Sequence, residues 1–473
     1  MLFLNFSPVE APRSPFEKMA HFTISSSPFQ SQVCDLLPCN DTSKSTLTHA
    51  LLRAYNLFDH FDEIIERPSC TERDITRYHD ESFIKLIMSS AASEANEDEE
   101  LTGRDGVTSF AREFACSNDE NYLSWFENMQ EIYAYWNSYA NFNNNAHRQP
   151  KESHARLNLT TSTRQKDQNA SKLETYGLMY DCPIFPDLPL YLKVSTGATL
   201  SLASRIFAKS PTKMILINWD GGRHHAFRSK ASGFCYVNDI VLLILALRRK
   251  GFRRISYIDF DLHHGDAVEK AFEHSDNVQT ISLHLYEPGF FPGTGTVESA
   301  LNHRSVVNIP LLHGLDDTFL LNVVQEVIIP CVRRHNSEIL VLQCGADGLK
   351  GDKYDEWQLT IKGMTKAIVK VAGSMQNCHV ILLGGGGYNP RLMSRFYTYL
   401  TMELLKTFKG SQINLDSLVE IDDILPDHEF IDQYRDEYFK FWIYEMDGEK
   451  GKKLKNHNEM SYINELMNAY KLI

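Results

Sequence analysis

The residues of this chain best suited to chemistry are two adjacent histidine pairs and the aspartates spaced around them. Asp261 and His263 stand at i and i+2 in DFDLHHGD, residues Asp259 to Asp266. On extended backbone that spacing sends both side chains out of one face. With Asp347 as a third ligand from another segment, they would place three protein ligands around an open position, the arrangement of a catalytic zinc. Carboxylate and imidazole donors accept ferrous iron as well. His224 and His225 lie on a glycine-flanked loop, where one imidazole could take a proton from the attacking water and return it to a leaving amine. Each imidazole needs an orienting acceptor, and Asp259 and Asp266 are the spare carboxylates beside the metal motif. Tyr388 follows four glycines; a phenol there could polarise a carbonyl as it becomes tetrahedral. Phe234 and Phe291, on two different loops, could enclose the apolar stem of a lysine. Singly, these residues have plainer readings: Asp347 as a turn or helix cap, the His224–His225 pair as a buried polar turn, and either Phe as core.

What joins them is their place relative to the predicted elements. Short apolar runs occupy Met214 to Trp219, Ile255 to Phe260, Val278 to Leu285, Val306 to Ile309, Ile339 to Leu342 and Val380 to Leu383. Val241 to Leu247 and Phe319 to Ile329 fit helices between them. Apolar strands separated by helices imply an α/β fold with a mostly parallel sheet covered on both faces. Such sheets gather ligand sites outside the carboxyl ends of their strands. Five of the runs lead directly into DGGRHHA, DFDLHHGD, GFFPGTG, CGADGLKGD and GGGGY, so the five loops should converge on one edge. Upstream, residues from about His21 to Met88 show helical patterning, notably Thr48 to Phe61. Between about Ser93 and Ser171 the chain is polar, a composition that by itself buries too little apolar surface to fold. An aromatic-rich patch inside it, from Tyr122 to Tyr139, is expected to be a local helix.

The 473 residues carry a formal net charge of −13 and are 43% hydrophobic. A core of that size needs no disulfide staples, and the nine cysteines are scattered without a CxxC pair, which reads as reduced thiols in the nucleus or cytosol. No signal peptide or membrane-spanning run is evident. Acidity argues against direct nucleic-acid binding and suits a positively charged partner such as a lysine-rich tail.

At these motifs the chain resembles the zinc-dependent histone deacetylases, closest to class I and of a fungal type with a long insertion. The matches are GGRHHA (Gly221 to Ala226), SGFCYVND (Ser232 to Asp239), DFDLHHGD, SLHLYEPGFFPGTG (Ser282 to Gly295), GAD (Gly345 to Asp347) and LGGGGY (Leu383 to Tyr388), with YDCP at Tyr180 and PDHEF at Pro426. The resemblance implies a single arginase/deacetylase-like α/β domain over 21–473, preceded by a tail at 1–20 and interrupted at about 93–171. It implies hydrolysis of acetyl-lysine on histones or other chromatin proteins such as cohesin, in the nucleus and also the cytoplasm, within a corepressor complex. By position, Asp261, His263 and Asp347 would hold zinc. His225 backed by Asp266 would be general base and acid, His224 backed by Asp259 an electrostatic helper, and Tyr388 the carbonyl donor. Asp181 would grip the substrate backbone, while Gly233, Phe234, Phe291 and Tyr354 would line the tunnel. Structural potassium would sit near Asp259, Asp261, His263, Ser282 and Leu283, with a second site near Phe272, Ser275 and Val278. Three departures stand out: Arg223 replaces an aromatic residue, Tyr354 replaces Leu or Met, and Asp41 stands where an inositol-phosphate patch has a lysine. Lys353, Arg391 and nearby Lys44 are the remaining basic positions of that patch, so weak or absent inositol-phosphate dependence is expected. A corepressor scaffold and an acetylpolyamine amidohydrolase are the alternatives on the same fold.

Overall fold

Eight short apolar segments align into one sheet in the computed structural model, which describes residues 20–40, 43–90, 172–185, 187–207, 212–410, 423–445 and 454–472. The strands are β1 (His21–Ser25), β2 (Glu63–Ile65), β3 (Met214–Asn218), β4 (Ile255–Asp259), β5 (Val278–Leu285), β6 (Val306–Leu311), β7 (Ile339–Gln343) and β8 (His379–Leu383). Their order is β2-β1-β3-β8-β7-β4-β5-β6, and every pairing is parallel. All residues of β3, β4, β5, β7 and β8 are buried, as expected for a parallel sheet covered on both faces.

Side chains alternate between two cores. Ile215, Ile217, Leu340, Leu342, Val380 and Leu382 join one core, against the helix Pro390–Lys409. Met214, Leu216, Ile339, Val341, Ile381 and Leu383 join the other, with Ile240, Val241 and Ile244 of the helix Asp239–Arg249. That period of two is the pleat of the strands read out as packing.

Six strands fall where the apolar runs place them. Two were missed: β1 and β2 lie in the region expected to be helical. Their apolar runs are short, so periodicity alone leaves them ambiguous; what makes them strands is pairing, His21 with Met214 and Thr23 with Glu63. The predicted Thr48 to Phe61 helix is instead the helix Lys44–Ala54 followed by a 3-10 turn, Leu57–His60, after Asn56 in left-handed backbone (φ 55°). Helix also covers Phe319 to Ile329, but it widens into a π turn at Val324–Ile328. Pro330, the next residue but one, has no N–H for the carbonyl of Glu326, which accounts for the irregularity.

The C-terminal part is pinned by charge. Arg395, on the helix Pro390–Lys409, meets Glu437 at 2.6 Å with both side chains fully buried, and its guanidinium also donates to the Lys440 carbonyl. Among the described residues the cysteines are free thiols, and no helix is long and apolar enough to cross a membrane. The chain divides into two units, 1–92 with 175–473, and 93–174. All of the expected tail at 1–20 but Ala20, and the expected insertion at about 93–171 with its aromatic patch, lie outside the described residues.

Candidate active site

The carboxyl ends of β3, β4, β5, β7 and β8 bring the predicted loops together. Asp261 and His263 follow β4, and Asp347 follows β7; one ligand atom from each lies within 4.8 Å of the others, all three residues buried. His263 Nδ1 is 3.2 Å from Asp261 Oδ1 and 2.9 Å from Asp347 Oδ2. The outward oxygens are already satisfied by the protein. Asp261 Oδ2 accepts from the Gln343 amide and from Gly386 N–H, each at 2.8 Å, and Asp347 Oδ1 accepts from Leu262 N–H at 2.9 Å. Gly386 is required by crowding, since a Cβ there would lie 2.3 Å from Asp347 Oδ2. Two carboxylates buried side by side are costly unless a positive charge joins them. Burial and the Asp261 charge raise Asp347, whereas His224 and His263 hold Asp261 well below the carboxylate range despite its burial. Oxygen, oxygen and imidazole nitrogen form a donor set that fits zinc or another divalent ion of similar taste.

Both histidines after β3 are oriented by carboxylates. His224 Nδ1 is 2.8 Å from Asp259 Oδ2, and His225 Nδ1 is 2.8 Å from Asp266 Oδ1. A carboxylate calls for an N–H, so each Nδ1 is the donor, and His224 Nε2 lies 3.8 Å from Asp261 Oδ1. The rings lie 3.9 Å apart, and their environments separate them. Burial opposes charge on His224, but the Asp259 and Asp261 charges outweigh it and push it up to about 9. Burial and the neighbouring His224 push His225 down to about 4 against the pull of Asp266. His225 is therefore a neutral ring with a free acceptor, beside a cationic one.

Tyr388 lies at the end of the glycine loop, where its backbone N–H donates to Asp352 Oδ2 at 2.7 Å, as does that of Asn389 at 3.0 Å. Burial, then the charges of Asp347 and Asp261, raise its phenol well above the usual value, so it stays protonated and can donate. A cavity of about 360 Å³ connects His224, His225, Asp261, His263 and Tyr388 with Asp181, Gly233, Phe234, Phe291 and Tyr354. Gly233 N–H donates to Asp181 Oδ2 at 2.7 Å. Phe234 meets Tyr388 edge-on at 6.0 Å, and Phe291 meets His225 at 4.9 Å. Tyr354 stands edge-on to both His263 (5.1 Å) and Tyr388 (5.3 Å). The lining continues to Cys39, Lys44 and Arg223.

Of the expected potassium positions, Ser282 pairs in register with Asp259 across β4 and β5, with Leu283 the next residue, while Asp261 and His263 follow the end of β4. Phe272, Ser275 and Val278 belong elsewhere: Ser275 N–H donates to the Phe272 carbonyl at the amino end of β5. The basic patch is only partly free. Lys44 is buried and donates to the Gly385 carbonyl at 3.0 Å, Arg391 lies 3.4 Å from Glu437, and Asp41 is outside the described residues.

Several supporting residues had not been foreseen. Gln343 holds Asp261, and Tyr257 donates to Asp259 Oδ2 at 2.5 Å. Asp352 holds Tyr388, and Asp239 accepts from the N–H groups of Gly222 and Arg223. Gln343 and Tyr257 sit on strands whose carboxyl ends carry the motifs, a usable signal; Asp239 and Asp352 act through loops whose path the sequence does not specify.

Residues 37–404 match the histone deacetylase domain. Histone deacetylase HOS1 of Saccharomyces cerevisiae is 42% identical over 481 aligned positions, covering 96% of this chain and 100% of the yeast protein. Histone deacetylase 8 of Xenopus tropicalis is 41% identical over 266 positions, 56% of this chain and 68% of the frog protein. Histone deacetylase 1 of Homo sapiens is 41% identical over 241 positions, 50% of this chain and 49% of the human protein.

Proposed function

Because the chain belongs to the histone deacetylase family, we propose that its cavity is the active centre of a zinc-dependent protein-lysine deacetylase. The activity itself follows from the family: it is a hydrolase that removes acetyl groups from acetyl-lysine in proteins. The observation that carries the assignment of residues is convergence. Two carboxylate-backed imidazoles and a protonated phenol share one cavity with Asp261 and His263, two members of a buried Asp–His–Asp cluster.

In this reading Asp261, His263 and Asp347 hold the zinc, with ferrous iron as the other ion the donors accept. The ion would polarise the amide carbonyl and acidify the attacking water. His225 takes the water proton at Nε2, its ring held by Asp266, and returns it to the lysine nitrogen as the C–N bond breaks. His224, backed by Asp259, keeps positive charge near the developing oxyanion. Tyr388 donates its phenolic hydrogen to that oxygen. Phe234, Phe291, Gly233 and Tyr354 flank the lysine stem, and Asp181 grips the substrate backbone. The products are acetate and a free lysine amine.

We further propose one domain over 21–473 interrupted at about 93–171, with a tail at 1–20, and structural potassium near Asp259, Asp261, His263, Ser282 and Leu283 and near Phe272, Ser275 and Val278. Histone tails and other chromatin proteins such as cohesin are the proposed substrates, in the nucleus and also the cytoplasm, within a corepressor complex. The buried Lys44 and the Arg391–Glu437 pair favour weak dependence on inositol phosphate. The test is turnover of an acetyl-lysine peptide against acetylspermidine by the zinc-loaded protein. Peptide turnover abolished in Tyr388→Phe supports the reading. Preference for acetylspermidine would favour the polyamine alternative, and no turnover of either would favour a scaffold.

A further inference from the structure

His313 lies outside the cavity lining, yet it joins the two loops that carry part of the cavity wall. It follows β6 and precedes Gly314. Its backbone N–H donates to Glu287 Oε1 at 2.9 Å. Its ring Nδ1–H donates to Glu356 Oε2 at 2.6 Å, and Gly314 N–H donates to the Glu356 carbonyl at 2.8 Å. Glu287 begins the turn that carries Phe290 and Phe291, closed by Phe290 N–H to the Glu287 carbonyl at 3.0 Å. Glu356 is two residues beyond Tyr354. One residue thus holds both loops, by two different groups.

What the loops present explains why their spacing matters. Phe290 stacks on the His263 ring at 5.1 Å, nearly parallel at 12°, while Tyr354 meets the same ring edge-on at 5.1 Å. Phe290 and Tyr354 contact each other at 6.4 Å. A shift of either loop would change the gap through which a substrate side chain reaches His263. Rings packed at van der Waals distance transmit such shifts without absorbing them.

The clamp is itself anchored. His457 N–H donates to the His313 carbonyl at 3.1 Å, and the Asn458 side chain exchanges two hydrogen bonds with the Leu312 backbone, at 2.7 and 3.0 Å. Gly314 adopts φ +80°, and a Cβ there would lie 2.0 Å from the Lys455 carbonyl. The loop after β6 therefore sits between the 454–458 segment on one side and the two tunnel loops on the other.

We propose that His313 is a positioning residue, setting the width of the acyl-lysine tunnel by tying the Glu287–Phe291 loop to the Tyr354–Glu356 loop. This rests on the deacetylase reading, so its test has an arm that needs no turnover. Hydrogen–deuterium exchange on the full-length protein should show faster exchange at 353–357 in His313→Ala, which keeps the backbone N–H to Glu287, and at 286–291 in Glu287→Ala, with β4 and β7 unchanged in both. His313→Asn, whose amide can replace the Nδ1 donor, should restore protection, and Glu356→Ala, which removes the acceptor, should loosen the 353–357 loop on its own. In kinetics, His313→Ala should raise KM for an acetyl-lysine peptide about threefold or more with kcat within about twofold, and should narrow the preference for acetyl-lysine over butyryl-lysine. Unchanged exchange at 353–357 in His313→Ala or at 286–291 in Glu287→Ala overturns the proposal, as does loosening spread evenly through the core, or an Asn variant that behaves like Ala. If the wild-type protein turns over no acetyl-lysine peptide, the deacetylase reading fails while the exchange result still decides the clamp.

Discussion

The backbone N–H of Asn238 donates to Nε2 of His79 across 2.9 Å, and the other ring nitrogen of His79 is 3.1 Å from the Arg228 carbonyl. The ring is thereby held as one neutral tautomer, a donor at Nδ1 and an acceptor at Nε2. It fastens the loop after His225 to the cap of the helix Asp239–Arg249, where the Asn238 side chain also accepts from Val241 N–H.

Acid should therefore loosen this fastening. Burial pushes His79 from its ordinary value of 6.5 down to about 4. The unfolded chain takes up this proton near pH 6.5 while the folded one does not, so stability is full above that pH and declines as pH falls towards about 4. The slope from this one group is at most about 1.4 kcal/mol per pH unit, about 3 kcal/mol in all. Urea unfolding of wild type and His79→Gln at pH 7 and pH 4.5 isolates it: the variant should lose less stability on acidification. Equal losses would show that His79 is not the titrating group.

Asp261→Ala should abolish turnover and lower zinc content together, because it removes one of three donors. Gln343→Ala should act more mildly, weakening zinc affinity about 10- to 100-fold, the usual effect of losing a group that orients a ligand. Zinc analysis by mass spectrometry beside turnover checks both. Full zinc with normal turnover in Asp261→Ala would remove that residue from the ligand set.

Tyr388→Phe should keep its zinc and fold but lose about 10²-fold or more in kcat, the scale of one oxyanion donor. His225→Ala should cost more than His224→Ala, since only His225 is oriented as a neutral base. A Tyr388→Phe effect confined to KM, or the reverse order for the histidines, would reassign the roles.

Glu437→Ala should destabilise the fold strongly. It leaves the Arg395 guanidinium buried without its carboxylate, a change that costs about 3–5 kcal/mol when a buried pair is broken from one side. Equilibrium unfolding in urea measures it. A loss below about 1 kcal/mol would mean that the Lys440 and Arg391 carbonyls suffice for Arg395.

How much of this was legible beforehand differs between strand ends and loops. Asp261 and His263 were readable because a period-two strand sends i and i+2 to one face, and their local sequence already contains that geometry. The apolar runs of β3 through β8 were readable because buried parallel strands are continuously hydrophobic. β1 and β2 were not, because HFTIS and EII break their apolar residues with polar ones or hold only two, so pairing with neighbours defines them. The same division holds in the cavity. The residue types of His224, His225, Asp347 and Tyr388 announced their chemistry, and Asp259 and Asp266 stood out as spare carboxylates for the histidines, but nothing marked Asp352, 36 residues from Tyr388, as the group that holds its backbone. Charge states needed the tertiary structure most of all. Adjacent His224 and His225 are identical in sequence terms, yet they are pushed to opposite sides of neutrality, because desolvation and nearby charges are properties of the space around a ring and not of the residues beside it in the chain.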